Sequence, residues 1–81
     1  MNPITDDEID RLAWHIEAKG LAGTDEALRR VVQRACRSEV SPVLVDVLAD
    51  PAQPVAARIR AFGRVALQLA VDRRRPAPLA A

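Results

Sequence analysis

The stretch Pro54-Val55-Ala56-Ala57-Arg58-Ile59-Arg60-Ala61-Phe62-Gly63-Arg64-Val65-Ala66-Leu67-Gln68-Leu69-Ala70-Val71-Asp72-Arg73 decides the fold. Val55, Ile59, Phe62, Ala66 and Leu69 recur at helical spacing and form one apolar stripe, widened by Val65 and Ala70. Pro54 opens the stretch, where a missing backbone N–H costs nothing. The reading is therefore a long helix over residues 54–73, with Arg73-Arg74-Arg75 favourably placed on its negative end. Pro76-Ala77-Pro78 forbids continuation, so residues 76–81 are expected to form a disordered tail. Gly63 opposes a helix by about 1 kcal/mol, which predicts a helical neighbour packed closely against it.

Toward the N-terminus, Ser41-Pro42 reads as N-cap and first residue of a short helix over 42–49. Its β-branched run Val43-Leu44-Val45-Asp46-Val47 would also suit a strand, but the chain offers no partner strand. Before it, Thr24 is the expected cap of a helix over 25–37. Leu28, Val31, Val32, Ala35 and Cys36 make its buried stripe, and Arg29, Arg30, Gln33, Arg34 and Arg37 its outer face. The first helix, over 6–19, starts with Thr5 and Glu8 in capping-box spacing and with Ile4 and Ile9 as a hydrophobic staple. Ile9, Leu12, Ala13 and Ile16 face the core, and Gly20 ends the helix with Leu21 behind it. The fold class is all-α: four helices in one small domain over residues 4–75.

At 81 residues and 8.8 kDa, the chain buries only roughly 60% of its unfolded surface on folding, so its core is small. Hydrophobic residues at 49% and charged residues at 28% place it among globular chains. One Cys makes no internal disulfide, and one Cys with one His makes no tetrahedral zinc site. No apolar run approaches the roughly 20 residues of a membrane span. The acidic start, with Asp6 and Asp7, is unlike a signal peptide, so the expected location is cytoplasmic. The net charge of +1 hides a split. Residues 1–27 hold seven acids against Arg11 and Lys19, net −5, and residues 28–81 hold ten Arg against four acids, net +6. Such asymmetry suits an anionic partner or head-to-tail association, although solvated Arg-rich faces account for the same composition.

Several large apolar residues fall outside the stripes. At about 100° per residue, Trp14 lies roughly 150° from the centre of the Ile9/Leu12/Ile16 stripe, beside Asp7, Arg11 and Ala18. Leu67 and Val71 fall beside Arg60 and Arg64, and Val45 lies off the Leu44/Val47/Leu48 side of its helix. Three arrangements would satisfy them. The segment around Leu79 or the Gly20–Gly23 loop covers the indole; the last helix is central and surrounded; or a second copy docks there. A Trp with aliphatic companions is the composition of a contact surface, and the expectation is a homodimer anchored on Trp14, Val45, Leu67 and Val71.

The inventory for catalysis is thin. Nothing in the spacing brings His15 to Cys36, which are expected to be an exposed imidazole and a buried, inert thiol. Capping accounts for Ser41, and no phosphate loop, His-Glu-x-x-His or Cys-x-x-Cys is present. The chain is expected not to be an enzyme, with no catalytic residue, cofactor, metal or small-molecule substrate.

Nucleic acid is the alternative partner, through Arg29, Arg30, Arg34, Arg37, Arg60, Arg64, Arg73, Arg74 and Arg75. Asp25 and Glu26 stand four residues before Arg29 and Arg30, the favoured order for pairing, while Arg34 and Arg37 have no evident local partner. Val40-Ser41-Pro42, Val45, Val47-Leu48 and Asp50-Pro51 resemble a helix-turn-helix of the lactose-repressor type, which implies DNA binding. The chain departs from that pattern with three extra residues before Val40. The would-be recognition helix also shows Val43, Leu44, Val45 and Asp46 in place of base-reading side chains. Leu48-Ala49-Asp50-Pro51 with Val55, Arg58 and Ala61-Phe62-Gly63 likewise resembles one HEAT-type helix pair, without a second copy in residues 1–40. The functional expectation is a non-catalytic interaction or regulatory module that binds protein, self-associating first. The alternative is charge-driven nucleic-acid binding without base-specific readout.

Overall fold

The computed structural model describes residues 3–74. Four helices follow one another: α1 (Asp6–Lys19), α2 (Asp25–Cys36), α3 (Pro42–Ala49) and α4 (Val55–Arg74). No strand occurs among the described residues, so the chain is all-α. Arg75 and the tail 76–81, expected to be disordered, lie outside the described residues, as does Leu79.

The start of α1 forms as its sequence dictates. The Glu8 N–H donates to Thr5 Oγ1 at 3.2 Å, and the Thr5 N–H donates to Glu8 Oε1 at 3.2 Å, completing the capping box. Ile4 and Ile9 are both buried, which closes the staple. At the other end, Gly20 takes φ 76° and donates its N–H to the Ile16 carbonyl at 2.8 Å.

The other two expected caps are made differently. The Thr24 hydroxyl does not cap α2; it donates back to the Leu21 carbonyl at 2.6 Å, while the Thr24 carbonyl accepts the Leu28 N–H. Burial of Thr24 explains this, because a buried hydroxyl must find an acceptor and the preceding loop supplies one. Ser41 makes no side-chain cap either; its N–H is held by Gln68 Oε1 of α4 at 2.9 Å.

The three most enclosed side chains are Val31, Leu48 and Val65, one each from α2, α3 and α4. α3 packs chiefly on α4 and next on α2, while α1 lies against α4. Ile9, Leu12 and Ile16 bring the α1 stripe to the core, and Ala61, Phe62, Val65 and Leu69 bring that of α4.

Four expectations are corrected by the packing. Val45 is only 7% exposed and belongs to the core; Val43, at 70%, is the valine of α3 that faces outward. α3 is apolar at six of its eight positions, so no single stripe is defined by its own pattern, and its two neighbours choose the side. Val55 is exposed because α4 begins before its buried stretch does. Cys36 is exposed rather than buried, since Leu28, Val31 and Ala35 carry the inner face of α2 and Cys36 falls at its end. Gly63 is exposed with no helical neighbour packed closely on it: a Cβ built there meets nothing within 4 Å.

Candidate protein-interaction surface

α1 and α4 meet along a seam at which Ile9 and Asp10 face Ala66, Leu69 and Ala70. Trp14 follows Asp10 by one helical turn on α1, and Leu67 and Val71 follow Ala66 and Ala70 directly on α4. None of the three lines that seam; each lies off the buried stripe of its own helix. Their exposures are 76% for Trp14, 65% for Leu67 and 55% for Val71, so α4 is not surrounded and none of the three is sealed by the described residues. The remaining exposed apolar residues sit elsewhere. Val43 is on α3, and Val55 lies about 18 Å or more along α4 from Leu67.

The charges beside these exposed apolar residues divide by helix. On α1, Asp7, Asp10 and Glu17 surround Trp14 together with Arg11, and all are exposed. On α4, Arg60 and Arg64 are exposed beside Leu67. Among the described residues none of these charged groups has a salt-bridge partner; Arg60 reaches only the Ala56 carbonyl, at 3.4 Å.

The second basic face of the sequence is largely used up inside the fold. Arg30 of α2 binds both carboxylate oxygens of Glu8, with Nη2 to Oε1 at 3.2 Å. Arg34 pairs with Asp6 at 2.7 Å and donates to the Ile4 carbonyl at 3.2 Å. These contacts strap the start of α1 onto α2. The Arg30 guanidinium, helped by the Thr5 N–H, holds the Glu8 carboxyl down from 4.5 to about 2. Arg34 thus has partners where a local reading finds none, because they come from a helix 28 residues earlier in the chain. The available signal is the matching of two acids in the first turn of α1 with two Arg one turn apart on α2. Arg58 was likewise not legible: its Nε donates to the Leu48 carbonyl at 3.1 Å, near the end of α3.

The other candidate phosphate contacts are scattered. Arg29 is exposed and lines a cleft of about 410 Å³ together with Asp25, Leu28, Val32, Leu48 and Arg58. Arg37 is exposed at the C-terminal end of α2. Arg73 and Arg74 continue α4, and their side chains, with Arg75, lie outside the described ones. His15 is half-buried, not exposed, with Nε2 3.4 Å from the Ala22 carbonyl, on a different helix from the exposed Cys36. Among the described residues no cluster of three His, Cys, Asp or Glu could hold a metal ion, and no helix is long and apolar enough to cross a membrane. No family model, curated protein or solved structure matches this chain.

Proposed function

We propose that this chain is a non-catalytic interaction or regulatory module that works by binding protein, and that its first association is with a second copy of itself. The observation that carries the reading is the exposure of Trp14 on α1 and of Leu67 and Val71 on α4. An indole with aliphatic neighbours is where association energy concentrates once water is excluded. The charge-driven nucleic-acid reading draws less support, since Arg30 and Arg34 already have carboxylate partners within the chain.

Sedimentation equilibrium tests the proposal. The wild-type chain is expected to run as a dimer. Trp14→Ala is expected to weaken association by more than about 2 kcal/mol, roughly 30-fold in Kd, with helix content unchanged. Equal mass before and after the substitution would overturn it. Binding to DNA or RNA that falls steeply between about 50 and 200 mM salt would favour the alternative instead.

A further inference from the structure

The cleft of about 410 Å³ is lined from the first half of α2, the end of α3 and the first turn of α4. Its size falls within the range of about 300–1,000 Å³ usual for small-molecule sites. Its charged groups are not used up by the fold. Arg58 donates Nε to the Leu48 carbonyl at 3.1 Å, which holds its guanidinium in place and leaves both Nη groups without a partner among the described residues. Arg29 makes no hydrogen bond or ion pair among those residues, and Asp25, one turn before it on α2, pairs with neither guanidinium. Two guanidiniums against one carboxylate leave one positive charge in excess. Leu28, Val32 and Leu48 supply the apolar part of the lining. A cleft of that composition selects a ligand with an apolar body and a single negative charge. The Arg58 fork fits a carboxylate through two parallel N–H bonds, and because the Leu48 carbonyl already fixes that side chain, little of its freedom is lost on binding.

We propose that this cleft binds a small organic monocarboxylate with an apolar body. Arg58 and Arg29 hold the carboxylate, and Leu28, Val32 and Leu48 receive the hydrocarbon part. The site is separate from the self-association proposed above, because neither α1 nor Leu67 nor Val71 contributes to its lining.

Titration of the wild-type chain with hexanoate, followed by NMR, tests the site. Hexanoate is expected to shift the amide resonances of Leu28, Arg29 and Val32 to saturation. Acetate has the charge without the body, and hexanamide the body without the charge. Both are expected to bind about tenfold more weakly or worse. Arg29→Gln removes a guanidinium from an exposed position; it is expected to keep wild-type helix content by circular dichroism and to weaken hexanoate binding by about threefold or more. Arg58→Lys keeps the charge but not the fork, and is expected to weaken binding by about tenfold. No saturable shift with hexanoate, or saturation only at resonances elsewhere on the fold, would overturn the site. So would hexanamide or acetate binding as tightly as hexanoate, or both variants binding like the wild type. A monomeric wild type would overturn the self-association and leave this site standing.

Discussion

Glu8 serves two elements at once, closing the capping box of α1 and receiving Arg30 of α2. Its folded-state pKa, about 2, lies below its ordinary 4.5, so the unfolded chain binds more protons between those values. The stability it contributes is present in full above about pH 4.5 and is lost as pH falls toward 2. Urea titrations of wild type and Glu8→Gln are expected to differ most near neutrality and to converge over that acid window. A difference independent of pH would mean that the carboxylate charge does not matter. The capping box was legible because it is local, four residues read in order. The Arg30 partner was not, because it depends on how α1 is laid across α2. Gly63 illustrates the opposite error: its low propensity suggested close packing, yet the position is open. Gly63→Ala, measured in a Trp14→Ala background to remove self-association, is expected to stabilise the fold by about 1 kcal/mol in urea denaturation.

At the level of elements, the starts and ends of the helices followed their capping and proline signals to within one residue. The rotation of each helix about its own axis followed only where the apolar stripe was unambiguous. α1 has one stripe and presents it as expected. α3 has nearly as much apolar surface outside as inside, and its orientation depends on lying between α2 and α4. Val45→Ala is therefore expected to cost about 2 kcal/mol, from two lost methyl groups and the space they leave. Val43→Ala is expected to change stability by less than about 0.5 kcal/mol. Denaturation curves for the pair check the rotation directly, since the sequence pattern alone sets Val45 off the buried side.

For the whole molecule, the small core and the exposed apolar residues belong to one argument. A chain of 81 residues has little apolar area to bury within itself, and a second copy enlarges the buried fraction. Association coupled to folding makes thermal stability depend on concentration. The wild-type Tm is accordingly expected to rise with protein concentration, and that of Trp14→Ala to stay level.

The amino-acid sequence by itself determined the helices, their caps at Thr5 and Gly20, and that Trp14, Leu67 and Val71 fall off the apolar stripes, because period, propensity and capping act over a few neighbouring residues; that they stay exposed was the structure's decision. Only the tertiary structure decided that Val45 turns inward, that Cys36 turns outward, and that Arg30 and Arg34 are bound by Glu8 and Asp6. These outcomes join residues more than twenty positions apart or select among equivalent faces of one helix. The free energy that makes such choices comes from burial and charge pairing between elements, which no short window of sequence contains.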